Sequence, residues 1–339
     1  MRILSFILFF SFILSFTSCK KSPERFETDF GGIFDTVVTL VGYCNSKNEF
    51  ENISDDIKEK FQFYHQLFDI YNEYDGFNNL KTINKNAGIK PIKVNEEIIS
   101  LLELSIEWHE KTKGSFNIAF GSVLKLWHEW RENKIPPSDI ELKNASKYTN
   151  IENIIINKNE KTVFLSNYYM SIDIGAAAKG YACELIKKYA IQKGYKNLLI
   201  NAGGNVVTIG QKPDRSSGNT SWSVAICNPN NPIEILHKIR ADNGKCVVSS
   251  GGYERFYEID NIKYHHIIDP DTLHPANIFS GVSVVYSDSG IADIMSTALF
   301  VMTLKEGKQL VESIPDMEAV WIYANGEEEF SSGFNLFQQ

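Results

Sequence analysis

The sequence predicts an α+β fold: a single compact unit of mixed, largely antiparallel sheets flanked by helices. Three observations predict it. Short β-branched runs are interspersed with amphipathic helical segments, without the regular βαβ repeat of a doubly wound sheet. No long linker, internal repeat or low-complexity segment divides the chain after its first residues. Of the 339 residues, 43% are apolar and 22% charged, the balance of a globular protein rather than a disordered one. The formal net charge of −8 argues against a nucleic-acid partner, because little is present to neutralise a run of phosphates.

Met1-Arg2 starts the chain with a positive charge, ILSFILFFSFILSF (3–16) is apolar, and Thr17-Ser18-Cys19 precedes Lys20-Lys21. This is the layout of a secretory signal peptide over residues 1–18. A cysteine directly after small residues resembles a bacterial lipoprotein box, in which Cys19 is lipidated and becomes the new N-terminus. The apolar run is short for a spanning helix. The expectation is an extracytoplasmic protein, lipid-anchored to the cell membrane, with residues 19–34 as a polar tether and 35–339 as the folded domain. Cys44, Cys183, Cys227 and Cys246 form no CxxC pair, so no zinc or redox motif is expected. Disulfides and buried thiols both stay open for them.

TVVTLVGY (36–43) reads as a strand, and Phe50, Ile53, Ile57, Phe61, Tyr64, Leu67 and Phe68 recur at helical spacing. EEIISLLELSIEWHEKTKG (96–114) is a second amphipathic helix, with Asn95 as N-cap and Gly114 just past its end. Residues 135–150, around Pro136-Pro137, read as a surface loop. From residue 151 the period shifts. NIIINK, TVFLS and YMSIDI are strands, KGYACELIKKYAIQKG (179–194) is a helix, and NLLINAGG, SWSVAIC, KCVVSS and GVSVVYS are strands again. GIADIMSTALFVMT (290–303) is an apolar helix and EAVWIYAN (318–325) a closing strand.

Chemistry concentrates in a few of these segments. SIDIGAAAKGY (171–181) passes from a strand through tiny residues into a helix start, where free N–H groups can meet an anion. Lys179 at that end is unfavourable against the helix dipole alone. Close packing of helix on strand explains the alanines but not the lysine; an anion explains both. Asp293 and Thr297 are four apart and share a face of an otherwise apolar helix. A buried carboxylate needs a partner, and magnesium, which takes a carboxylate and neutral oxygens, is one; capping of the helix start by Asp293 is the other. YHHIIDPDTLHPA (264–276) holds three of the seven histidines.

Seven segments in consistent order, from about 35 to about 325, resemble the ApbE family of FAD:protein FMN transferases: NEYDGFNNLKTIN (72–84), TKGSFNIAFGSVLKLW (112–127), SIDIGAAAKGYACE (171–184), NLLINAGGN (197–205), SSGGYERFY (249–257), YHHIIDPDT (264–272) and ADIMSTALF (292–300). The resemblance implies FAD as substrate, Mg2+ on its pyrophosphate, transfer of FMN to a Ser or Thr hydroxyl of an extracytoplasmic acceptor protein, and release of AMP. It implies that Tyr74 stacks on the flavin, that Ser115, Phe116, Asn117, Asp173, Lys179 and Ile267 contact FAD, and that the Ala176 carbonyl, Asp293 and Thr297 hold the metal. His266 falls beside the pyrophosphate and is the candidate general base. Three places depart from the family pattern: Asn117 replaces an aspartate, Leu273-His274 replace a glycine, and Asn78-Asn79 replace Ser-Glu. The same residues also suit hydrolysis of FAD to FMN and AMP, or a flavin-binding lipoprotein serving a transporter.

Overall fold

The computed structural model describes residues 22–133, 135–213, 220–242, 244–253, 256–259 and 262–338. Cys19 and the expected signal peptide lie outside these residues. Among the described residues no helix is long and apolar enough to cross a membrane.

The chain begins with an antiparallel pair, β1 (Glu24–Ile33) and β2 (Thr36–Cys44), joined at Phe34 and Asp35. Residues 24–33 were expected to belong to the tether, and the structure corrects this. Phe26 stacks on Phe50, and Phe30 and Ile33 are buried, so alternate side chains of β1 close the sheet edge although charged residues stand between them. The long helix α1 (Lys47–Leu67) follows, its start capped by Ser46. Then come α2 (Leu80–Lys85), β3 (Ile92–Lys93), α3 (Glu96–Lys111), α4 (Gly121–Asn133) and α5 (Asp139–Ala145). The helix α5 lies inside the expected surface loop. Ser138 and Glu141 form a reciprocal capping box that nucleates it immediately after Pro136-Pro137. Asn95 occupies the N-cap of α3 but contributes no side-chain bond, and Gly114 follows that helix at φ +90°.

After β4 (Ile154–Asn157) and β5 (Thr162–Leu165), residues 169–174 do not pair as the expected strand. The side chain of Asn84 takes the place of a neighbouring strand: it accepts from Ile172 N–H at 2.7 Å and donates to Ile172 C=O at 2.8 Å. The remaining elements are α6 (Ala178–Gln192), β6 (Leu198–Ala202), β7 (Asn205–Ile209), β8 (Trp222–Asn228), β9 (Asn231–Ala241), β10 (Cys246–Gly251), β11 (Phe256–Ile259), β12 (Ile262–His265), β13 (Gly281–Tyr286), α7 (Ser289–Val301), α8 (Leu304–Glu312), β14 (Glu318–Ile322) and β15 (Glu328–Phe330).

An eight-stranded sheet in the order β1-β2-β6-β7-β10-β13-β14-β15 forms the frame, and each of its pairings is antiparallel. The predicted α+β class with antiparallel sheets is therefore observed. One face of the frame carries α6 and α7, which also pack on each other. The β8–β9 hairpin covers the other face with Trp222, Val224, Ile226 and Ile239. Burying apolar area on both faces is what fixes strand register. Cys44, Cys183 and Cys246 are buried free thiols, and Cys227 is also free.

Candidate active site

A cleft of about 360 Å³ lies where the starts of α6 and α7, the end of β10 and the loops at 69–72, 115–117 and 266–270 converge. Its size falls in the range of small-molecule sites.

The polar end rests on α7. Asp288 is the N-cap of this helix, its Oδ1 accepting from Ile291 N–H at 3.0 Å, so the capping role considered for Asp293 belongs to Asp288. Asp293 instead reaches the neighbouring helix, where its Oδ2 accepts from Gly180 N–H at 2.8 Å. The first turn of α6 contains no acidic residue, and its N-cap, Ala177, supplies no side-chain bond. The carboxylate of α7 thus satisfies an orphan donor at the positive end of α6. Burial pushes the Asp293 carboxyl above the ordinary carboxylate range, while Lys179, Gly180 N–H and the Asn205 amide pull it back. Thr297 lines the cleft one turn further along the same helix.

Lys179 donates to Gly203 C=O at 3.1 Å, so the two small-residue motifs, GAAAKG and NAGGN, meet at one place. Gly203 and Gly204 take φ values of +53° and +87° in the β6–β7 turn, a conformation open to glycine at no steric penalty. Behind the cleft, Asn205 is fully buried, and a hydrogen-bonding contact from its amide helps to lower the Asp293 pKa. A buried ion pair clamps the start of α7 onto α6. Lys187 meets Glu184 at 2.7 Å and donates to Ser287 C=O at 2.6 Å, and Glu184 accepts from Ser289 N–H at 3.0 Å.

Ser115, Phe116, Asn117, Asp173, Ala176, Lys179, His266, Ile267, Asp293 and Thr297 all line this cleft. Tyr74 does not. Its hydroxyl donates to Asp69 Oδ2 at 2.7 Å and its ring stacks on Phe77. Tyr71 lines the cleft instead, its hydroxyl 3.3 Å from His128 Nδ1. The cause is Asp69, a buried carboxylate that also accepts from Tyr71 N–H at 2.6 Å and from Asn72 N–H at 3.1 Å. It curls the loop so that Tyr71 faces in and Tyr74 is held against it. Burial alone would raise the Asp69 pKa, but the bonds from Asn72, Tyr71 and Tyr74 outweigh it and hold the carboxyl below its usual range. Phe34 and Asp35 also line the cleft, both left-handed at φ 50° and 53°. Sequence reading missed Asp69, Tyr71, His128 and these two turn residues. Asp69, whose side chain accepts from the backbone N–H two residues on, is an Asx-turn former, and an aspartate in a loop is the signal for one.

In the histidine-rich stretch, His265 accepts from Ile267 N–H through Nδ1 and therefore donates from Nε2 to Ala276 C=O. Burial lowers its pKa, the carbonyl bond opposing, so it is a neutral strut. Asp269 organises the turn, accepting from Asp271 N–H at 2.9 Å and Thr272 Oγ1 at 3.2 Å. His274 pairs with Asp139 at 3.1 Å and sets its ring edge-on to Trp127. His266 is the histidine of this stretch that faces the cleft.

Among the residues lining the polar end, Asp293 supplies a carboxylate and Thr297 a hydroxyl. Among the described residues, no three His, Cys, Asp or Glu side chains cluster as a metal site. An all-oxygen set built on one disfavoured buried carboxylate fits a hard cation such as magnesium.

The chain is similar to known proteins over most of its length. It is 30% identical to the FAD:protein FMN transferase of Klebsiella pneumoniae over 251 residues, covering 74% of this chain and 76% of that one. It is 30% identical to the FAD:protein FMN transferase of Treponema pallidum, covering 75% and 73%. The crystal structure of the ApbE protein of Thermotoga maritima superposes with a TM-score of 0.83 at 28% identity, covering 93% of this chain and 100% of that one. The ApbE family model matches residues 34–321. The chain belongs to the ApbE family.

Proposed function

We propose that the chain is a magnesium-dependent FAD:protein FMN transferase that moves FMN from FAD to a Ser or Thr hydroxyl of an extracytoplasmic acceptor protein. In this reading it is tethered to the membrane through lipidated Cys19. The observation that carries the proposal is a single cleft in which Asp293, Thr297 and Lys179 lie within reach of one substrate together with Tyr71, Phe116 and Phe120. One end suits a charged pyrophosphate and the other a flat ring. The names of the relatives point the same way.

In the reaction the acceptor hydroxyl oxygen forms a bond to the phosphorus next to riboflavin. The phosphoanhydride bond breaks, and AMP leaves with the bridging oxygen and its electron pair. Asp293, Thr297 and the Ala176 carbonyl would hold Mg2+, which when bound neutralises charge on the pyrophosphate. Lys179 adds a fixed positive charge and Asp173 and Asn117 orient the ligand. His266 takes the proton of the attacking hydroxyl, a role suited to imidazole near neutral pH.

The test uses the full-length chain in detergent with FAD and Mg2+, with and without a Ser/Thr-bearing acceptor. AMP together with a fluorescent acceptor band on a denaturing gel is the expected result. AMP without label in either tube identifies a hydrolase, and no AMP a binding protein; both overturn the proposal. Cys19→Ala is expected to move the chain out of the membrane fraction, and its retention there would refute the anchor.

A further inference from the structure

The segment SSGG at the end of β10 has no role in the reaction as described, yet Ser249, Ser250 and Gly251 line the cleft. The hydroxyls of the two serines have different partners. Ser249 Oγ meets Ser283 Oγ at 2.7 Å, within the sheet. Ser250 Oγ meets Ser296 Oγ at 2.7 Å, on α7. Ser296 is fully buried and stands three residues after Asp293, on the same side of the helix.

A count of protons assigns the direction of this second contact. Ser296 Oγ lies 3.0 Å from the carbonyl of Asp293, and a carbonyl only accepts, so the single Ser296 proton goes there. Both bonds can be made together only if Ser250 donates to Ser296. The Ser250 proton is then directed away from the cleft, and its lone pairs face it. A hydroxyl held this way is a poor partner for a phosphate oxygen, which also only accepts, and a good one for a cation or for water polarised by a cation.

From this we infer that Ser250 is a further oxygen of the metal site, accepting from a water in the hydration shell of the divalent cation held by Asp293 and Thr297, with Ser296 setting its orientation. Magnesium keeps several waters when bound by few protein oxygens, and groups that hold such outer partners typically change metal affinity by 10- to 100-fold when removed. The inference rests on the magnesium reading given above.

The experiment titrates Mn2+ into the full-length chain in detergent and follows free Mn2+ by electron paramagnetic resonance, with and without FAD. FAD affinity is measured separately in EDTA by quenching of flavin fluorescence. Ser250→Ala is expected to weaken Mn2+ binding by about tenfold or more with FAD affinity in EDTA unchanged, and Ser250→Thr to restore it. Ser296→Ala, which frees the Ser250 proton, is expected to weaken Mn2+ binding by a smaller factor. Wild-type Mn2+ affinity in Ser250→Ala overturns the inference and leaves the magnesium reading standing, as does a loss confined to FAD affinity, which would make Ser250 a substrate contact. Absence of Mn2+ binding by the wild-type chain overturns both. Asp293→Ala serves as the reference for a lost ligand. A purely structural role for Ser250 would lower thermal stability without moving the Mn2+ isotherm.

Discussion

Gly180→Ala probes the join between α6 and α7 on which the polar end of the cleft depends. A Cβ built on Gly180 would lie 2.4 Å from Asp293 Cβ, 2.4 Å from Ser289 C=O and 3.0 Å from Asp293 Cγ. Carbon atoms in contact prefer about 3.5–4.0 Å, so the helices must separate by roughly 1 Å. Overpacking of this kind costs about 1–3 kcal/mol. Stretching the bond from Gly180 N–H to the carboxylate adds about 1.5–3 kcal/mol, and the better helix propensity of alanine returns about 1 kcal/mol. The net loss is about 1.5–5 kcal/mol, which for a domain of this size lowers Tm by roughly 2–8 °C. A shift of that size at a charged ligand is expected to reduce AMP release by about 100-fold. Differential scanning calorimetry and an AMP assay across a Mg2+ titration measure both effects. Gly31→Ala is the control, since nothing lies within 4 Å of its Cβ. Wild-type Tm and wild-type AMP release in Gly180→Ala would refute the claim that this glycine permits the Asp293 contact.

Three further outcomes follow from the same geometry. Asp69→Asn should raise the KM for FAD about tenfold, the equivalent of one charge-assisted hydrogen bond, with kcat little altered; an unchanged KM would show that the 69–72 loop does not shape the substrate site. Lys187→Met leaves the buried Glu184 only the exposed Lys188, 3.5 Å away, and the Ser289 N–H, which should cost up to about 3–5 kcal/mol in urea denaturation, and adding Glu184→Gln should recover most of it. His265 is held below its ordinary pKa of about 6.5, so the unfolded chain takes up its proton first on acidification. The contribution of His265 is therefore complete above about pH 6.5 and is lost as pH falls from there toward the folded-state pKa. Melting curves from pH 5 to 7.5 should show this slope in the wild type and a flatter one in His265→Gln.

The elements read correctly from sequence are those whose own residues decide them. The apolar face of α1, the helix α6 ending at Gly194 and the apolar α7 carry their signals locally, as do the β-branched strands of the main sheet. The errors arise where a distant partner decides. Residues 169–174 alternate like a strand and bury Ile172 and Ile174, but Asn84 satisfies the backbone instead. The edge strand β1 needs only Phe26, Phe30 and Ile33 on one side, and the charges on its open side concealed the alternation. Most of the cleft was legible because its small-residue turns and the Asp293/Thr297 pair occur as compact motifs. Which of Tyr71 and Tyr74 lines the cleft was not legible, because both are aromatic and three residues apart, and the hydrogen bonds converging on Asp69 place Tyr71 there.

The departures from the family pattern at 117 and 273 become intelligible together. Asn117 Oδ1 accepts from Ala119 N–H at 2.8 Å, as an aspartate there could, but its Nδ2 donates to Thr149 C=O at 3.0 Å. A carboxylate would set oxygen against oxygen at that second contact, so with the 146–150 segment packed here the amide is the better residue. Leu273 takes φ +65°, where glycine avoids a strain of about 1–2 kcal/mol. Against that strain its side chain packs into the Trp127 and Trp130 cluster, and its carbonyl accepts from Trp127 Nε1 at 3.0 Å. His274 adds its contacts to Trp127 and Asp139. The loop bearing His266 is thus fastened to α4 and α5 by side chains that a glycine could not supply. Leu273→Gly should therefore relieve the backbone yet loosen the wall that carries the candidate base.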